Sequence, residues 1–173
     1  GKASFFNDLF IYDLDQNEWK EVFPKGTLPS PRLSTTAVLS GTDIYFFGGI
    51  KTFGGYHGYL NELFKFDTEK EEWSVVQTGG NIPSRRASHS AVAIENGKYM
   101  VVLCGYDVKH LNDIHILDIP SKTWLSKFKV DGNLPPGRNS QSVVAVGNTL
   151  YLFAGNDGSM ESLNDVLKLT ITI

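Results

Sequence analysis

Residues 61–73 read Asn61-Glu62-Leu63-Phe64-Lys65-Phe66-Asp67-Thr68-Glu69-Lys70-Glu71-Glu72-Trp73, and the frame of this stretch recurs along the chain. The opening triplet of Asn, acid and aliphatic residue stands again at Asn7-Asp8-Leu9, Asn112-Asp113-Ile114 and Asn164-Asp165-Val166, at intervals of 54, 51 and 52 residues. The indoles keep step: Trp19, Trp73 and Trp124 lie 54 and 51 residues apart. Each is followed, thirteen or fourteen residues on, by Arg32, Arg86 or Arg138. A small pair then closes each unit: Gly48-Gly49, Cys104-Gly105 and Ala154-Gly155. A period of this size marks a supersecondary unit that stacks on copies of itself.

Between these anchors the chain reads as short strands and turns. Thr35-Thr36-Ala37-Val38-Leu39 is β-branched and apolar, Ser40-Gly41-Thr42-Asp43 is turn chemistry, and Ile44-Tyr45-Phe46-Phe47 runs into the Gly pair. The next unit turns at Asn96-Gly97, a dipeptide that accepts positive φ at both turn positions. The third turns at Gly147-Asn148, between Val143-Val146 and Leu150-Phe153. The second half of each unit is another hairpin, Leu63-Asp67 returning through Glu69-Lys70-Glu71 into Trp73-Val76. No segment sustains apolar residues at helical spacing for three turns, so almost no helix is expected.

Units of about 50 residues with four antiparallel strands, repeated radially, build β-propellers. The Gly pair after the second strand, the aromatic-Asp pairs Tyr12-Asp13 and Phe66-Asp67 (Leu117-Asp118 departs) and the Trp about six residues later resemble the kelch repeat. The resemblance covers essentially the whole chain and implies an all-β fold of kelch-type propeller blades. The strands expected are the last two of one blade in residues 1–26, whole blades in 27–78 and 79–131, and three strands in 132–173. That makes about three blades of an incomplete propeller. Bare strand edges and blade faces then imply membership of a larger propeller, or self-association to complete one.

The anchors have structural reasons. Gly49, Gly105 and Gly155 end an inner strand where positive φ or close approach excludes a Cβ. Cys104 and Ala154 suggest that the preceding site tolerates only a small residue. The three indoles suit the wedges between adjacent blades.

Composition narrows function. With 41% hydrophobic and 20% charged residues the chain is globular, and a chain of this length buries roughly 70% of its unfolded surface. The net charge of −3, with both signs interspersed, gives no basic stripe for nucleic acid. Apolar runs of about six residues, such as Tyr99-Cys104, fall short of a spanning helix. One Cys and no Asn-x-Ser/Thr sequon point to a reducing compartment, the cytoplasm, with the nucleus as the alternative. The opening Gly1-Lys2-Ala3 carries neither initiator Met nor signal peptide, and reads as a fragment of something longer.

Loops after the second strand and before the first strand of each blade fall on one face, the usual place for binding on a rigid scaffold. The former hold Phe53, Tyr56, His57 and Tyr59, then Lys109 and His110, then Asn156-Met160; the latter deliver Arg-x-Ser three times, as Arg32/Ser34, Arg86/Ser88 and Arg138/Ser140. These positions resemble the arginines and serines with which kelch adaptors of ubiquitin ligases hold acidic peptides. That resemblance implies a guanidinium ring for carboxylate or phosphate. The alternative is that each Arg satisfies carbonyls or an acid of the neighbouring blade. The mixed aromatics and glycines are the better candidates for private specificity.

Catalysis finds little support, and no cofactor is expected. A copper radical site needs a Tyr cross-linked to Cys, a second Tyr and two His, and Cys104 sits in the small-residue slot. His57, His89, His110 and His115 lack metal-ligand spacing. Asp13-Leu14-Asp15 opens like a calcium loop, but Glu18 replaces its Gly and Pro24 its bidentate Glu. No phosphate loop or nucleophile elbow occurs. The sequence therefore reads as a non-catalytic protein-interaction scaffold. Its connections Gly26-Arg32 and Gly80-Arg86 look like those of kelch proteins that dock GTPases, phosphatase domains or chromatin factors. The alternatives are the targeting portion of a larger enzyme, such as a phosphatase or ubiquitin-ligase adaptor, and a metal-dependent propeller enzyme.

Overall fold

In a computed structural model that describes residues 4–53 and 56–173, every regular element is a strand. The first wedge is the hairpin β1 (Leu9–Asp13) and β2 (Glu18–Val22), followed by a short linker strand β3 (Lys25–Gly26). Blade 2 contains β4 (Thr36–Ser40) and β5 (Asp43–Phe47), then a side hairpin β6 (Ile50–Phe53) and β7 (Tyr56–Tyr59), then β8 (Leu63–Asp67) and β9 (Glu72–Val75). Linker β10 (Gly79–Gly80) leads to blade 3, built from β11 (Ser90–Ile94), β12 (Tyr99–Leu103), β13 (Ile114–Asp118) and β14 (Thr123–Trp124). Linker β15 (Lys129–Asp131) leads to the last blade, β16 (Ser142–Val146), β17 (Thr149–Gly155) and β18 (Leu163–Thr172). The blade sheets run β3-β9-β8-β5-β4, β10-β14-β13-β12-β11 and β15-β18-β17-β16.

Turn chemistry sets these registers. Asn96 and Gly97 take φ of 54° and 86°, and Gly41 and Gly147 take 60° and 57°, the left-handed values that tight hairpins need. The second Gly of each closing pair is more demanding. Gly49, Gly105 and Gly155 have φ of 100–105°, and a Cβ there would lie 2.7–3.0 Å from the segment that leads into the first strand of the same blade, at Leu33, His89 and Asn139. The preceding site is left-handed too, with Cys104 at 59° and Ala154 at 58°. At Gly48 a Cβ would come within 2.7 Å of the Arg86 carbonyl of the next blade.

Linkers were invisible as strands in the sequence, and they cover the outer edges. β3 and β10 lie parallel to the fourth strands β9 and β14. In the last blade β15 lies directly beside the third strand, pairing antiparallel with β18 from Lys129↔Thr172 to Asp131↔Thr170. An edge strand is thereby paired instead of bare.

Three apolar clusters fill the seams. Phe64, Phe66 and Trp73 meet Leu9 of the first wedge. Val38, Tyr45, Phe47 and Leu63 of blade 2 meet Met100, Val102, Leu117 and Trp124 of blade 3. Val101, Leu103 and Ile116 of blade 3 meet Leu150, Leu152, Leu169 and Ile171 of the last blade. The indoles occupy equivalent registers, Tyr12↔Trp19, Phe66↔Trp73 and Leu117↔Trp124, but not equivalent surroundings. Trp73 and Trp124 are 5% and 1% exposed, as their wedge role requires; Trp19 is 69% exposed. Among the described residues its aromatic contact is with Tyr12 of its own hairpin, at 5.0 Å.

Candidate protein-binding face

The two sets of loops that sequence placed on one face are stitched together. The residue after each Arg exchanges backbone hydrogen bonds with the residue after each second Gly: Leu33 with Ile50, Ala87 with Tyr106, and Asn139 with Asn156, all at 2.9–3.1 Å. Adjacent blades also touch through this face. Tyr59 meets the Tyr106 ring edge-on at 5.9 Å, Tyr106 meets His110 at 5.0 Å, and the His110 ring lies against Gly158. Tyr59, Tyr106, His110 and Gly158 thus form one row across three blades.

The Arg-x-Ser positions lie behind that row. Arg86 and Arg138 are both 0% exposed. The Arg86 guanidinium donates to both carboxylate oxygens of Asp113 at 2.6 and 2.9 Å, to the Cys104 carbonyl and to Ser84. Arg138 repeats this with Asp165 at 2.6 and 2.9 Å and the Ala154 carbonyl. Arg32 is a weaker copy: the longer Glu62 accepts only from Nη2, at 2.9 Å, while Nη1 donates to the Gly48 carbonyl. The acid in each pair belongs to the same blade as the Arg, where sequence reasoning placed it on the neighbour. These guanidinium groups are spent on the fold, and the geometry favours the structural alternative for them.

The serines are backbone devices. Ser34, Ser88 and Ser140 have φ of 54°, 52° and 57°. Ser88 N–H donates to the Ser34 carbonyl, and Ser140 N–H to the Ser88 carbonyl, at 3.1 and 2.8 Å, one bond per seam. Each Arg backbone joins in: Arg86 N–H donates to Leu60, and its carbonyl accepts from Gly49; Arg138 does the same with Leu111 and Gly105.

Burial raises the Asp113 pKa, but hydrogen bonds from Arg86 and His115 and the charges of both outweigh it and hold the carboxyl well below the usual carboxylate range. His115 Nε2 lies 2.9 Å from Asp113 Oδ2, a third member of the network that spacing did not reveal. At the same seam His89 is buried, with Nε2 2.6 Å from Thr36 Oγ1 and Nδ1 without a partner. Burial, reinforced by the Arg86 charge, pushes its pKa from 6.5 down to about 3. The folded chain therefore keeps this ring neutral, while the unfolded chain protonates it near 6.5. The folded value is the lower one, so this contribution to stability is complete above that pH and drains as pH falls towards 3. Urea midpoints measured across that window should fall less steeply for His89→Gln than for the wild type. Burial likewise raises the Cys104 thiol to about 12, so it behaves as a packed small residue.

The accessible part of the face is the loop tips. Tyr56 is 82% exposed, Val108 80%, and Met160 fully exposed, one on each of three successive blades. Val108 holds φ of 80°, a rare backbone state for a β-branched residue. His57, Lys109 and Arg85 are exposed beside them. Tyr56, His57 and Tyr59 sit on the β6/β7 hairpin, where sequence read only a loop; Ile50, Thr52 and the two tyrosines give it strand-forming residues. The side chain of Phe53 lies outside the described residues. Val108, Met160 and Arg85 were missed as candidates because single exposed residues in variable loops carry no spacing signal.

Wedges of four antiparallel strands, joined seam to seam by apolar faces, define this chain as part of a β-propeller. Residues 1–155 match the family model for the KLHDC2/KLHL20/DRC7 Kelch-repeats domain, and the chain belongs to the kelch-repeat family. It is similar to Host cell factor of Drosophila melanogaster, 30% identical over 171 residues covering 88% of this chain and 11% of that protein. It is also similar to Host cell factor 2 of Homo sapiens, at 29% over 87% of this chain and 21% of that protein. Kelch domain-containing protein 3 of Bos taurus is 28% identical over 86% of this chain and 40% of its own length. The chain thus spans less than half the length of each of these relatives. Kelch domains of this kind are protein-interaction modules. Among the described residues no group of three or more His, Cys, Asp or Glu could hold a metal, and no helix could cross a membrane.

Proposed function

We propose that this chain is a non-catalytic docking module that captures a protein partner on its loop face. The observation that carries the reading is the trio Tyr56, Val108 and Met160, three exposed side chains, one in the corresponding loop region of each of three successive blades, over a hydrogen-bonded base. Exposed apolar groups on a fixed scaffold lose little entropy on contact. The charges around them are mixed, Lys109 and Arg85 against Asp107 and Asp157. A folded protein surface, such as that of a small GTPase, suits this better than an acidic or phosphorylated peptide, because the three ring arginines are already paired. The lone buried Cys104 fits a reducing compartment, cytoplasm or nucleus. Capture of a partner from cell extract should survive Arg32→Lys and be lost on combined Tyr56→Ala, Val108→Asp and Met160→Asp, with unchanged thermal unfolding. Undiminished capture by the triple variant overturns the reading.

A further inference from the structure

The chain holds three sulfur atoms, in Met100, Cys104 and Met160, and the fold treats them oppositely. Met100 is 0% exposed, enclosed in the seam between blades 2 and 3. Cys104 is sealed in the next seam, and burial raises its thiol to about 12, so the reactive thiolate is suppressed. Met160 is fully exposed on the loop face. That exposure belongs to the loop position. Met160 stands four residues before Asn164, as Val108 stands four before Asn112, and Val108 is exposed on a blade with packed neighbours on both sides.

The loop that carries Met160 is tied to itself. Asn156 Oδ1 accepts from Gly158 N–H and Asp157 Oδ1 from Ser159 N–H, both at 2.9 Å, and Ser159 Oγ donates to the Glu161 carbonyl at 2.8 Å. These bonds hold the backbone on both sides of Met160 and leave its thioether in solvent. A thioether is a soft, adaptable apolar contact of the kind used on docking surfaces. Unlike Tyr56 or Val108, it becomes polar on mild oxidation.

We propose that Met160 is an oxidation site through which a peroxide weakens docking on the loop face. The sulfur takes one oxygen atom from hydrogen peroxide: the O–O bond breaks, the sulfur–oxygen bond forms and water leaves. The thioether loses two electrons and the peroxide gains them. The resulting sulfoxide is a polar acceptor, and burying it against a partner without a donor opposes binding. The fold is unaffected, since the apolar seams do not include Met160. The oxidation step stands on the sulfur environments; its effect on docking rests on the loop-face reading.

Hydrogen peroxide added to the folded chain, followed by peptide mass analysis, tests the first step. Met160 should gain one oxygen about a hundredfold or more faster than Met100, whose reaction waits on opening of a seam. In urea that unfolds the chain, the two should react alike. Thermal unfolding of the Met160-oxidised chain should match that of the untreated chain. With peroxide removed, oxidised chain, untreated chain and the combined Tyr56→Ala, Val108→Asp and Met160→Asp variant are each offered cell extract. The protein that the untreated chain captures and the variant loses should bind the oxidised chain about tenfold more weakly. Methionine sulfoxide reductases should restore capture, and capture by Met160→Leu, whatever its starting level, should not respond to peroxide. Met100 or Cys104 oxidised as fast as Met160 in the folded chain, or capture undiminished by the sulfoxide, overturns the proposal. Identical capture by the untreated chain and the combined variant removes the loop-face reading itself, and the switch with it.

Discussion

Arg86→Glu is expected to leave no stably folded protein at ordinary temperature. The variant would place a carboxylate within reach of Asp113 in a site from which solvent is excluded on the Arg86 side, and it would strip the Cys104 carbonyl and Ser84 of their donor. Removing one partner of a buried ion pair costs about 3–5 kcal/mol, a large share of the roughly 5–15 kcal/mol by which a domain is stable. Because Asp113 keeps some contact with water and with His115, the neutral change Arg86→Met should fall at the lower end of that range. Arg32→Met should cost less again, since its Glu62 partner is bound through one nitrogen and is more exposed. Denaturant unfolding of the three variants should rank them in that order. Equal, small effects would mean that the guanidinium groups are not structural, and would return them to the candidate binding surface.

The arginine prediction turns on a choice that spacing left open, and the reason is physical. A recurring Arg is equally compatible with a ring of receptors and a ring of ties. The choice depends on whether an acid from a distant strand reaches the guanidinium. Asp113 and Asp165 lie 27 residues beyond their partners, and they were visible only as members of the Asn-acid-aliphatic triplet. That triplet was legible as a repeat but not as half of an ion pair. The hairpins, by contrast, were legible because their cause is local. Period-two apolar patterning and Asn96-Gly97 or Ser40-Gly41 turns act within a few residues, and the observed registers follow them. The linker strands β3, β10 and β15 were not legible. They are two or three residues long, and only an edge elsewhere in the fold makes Lys25-Gly26 or Gly79-Gly80 extended. The binding tips fall in the same class, since exposure is a property of the assembled face. Val108 and Met160 became candidates only once the face existed.

The indoles show how one sequence position acquires different energetic weight, and they supply the second large effect. Trp124 is enclosed by Phe47, Leu117 and Met100, and its Nε1 donates to Thr78 Oγ1 at 3.1 Å. Truncation to Ala removes that contact surface and leaves a cavity in the blade 2–blade 3 seam, a loss of about 3–5 kcal/mol for a buried aromatic. Trp19 holds the same place in its own hairpin, yet most of its ring faces solvent. Trp19→Ala should therefore change the unfolding free energy by about 0.5 kcal/mol or less, the scale of surface substitutions. Denaturant midpoints that fall far for Trp124→Ala and hardly at all for Trp19→Ala are the signature of one repeated position filled by a neighbouring blade at one site and left to solvent at the other; equal losses would overturn the wedge role of Trp124.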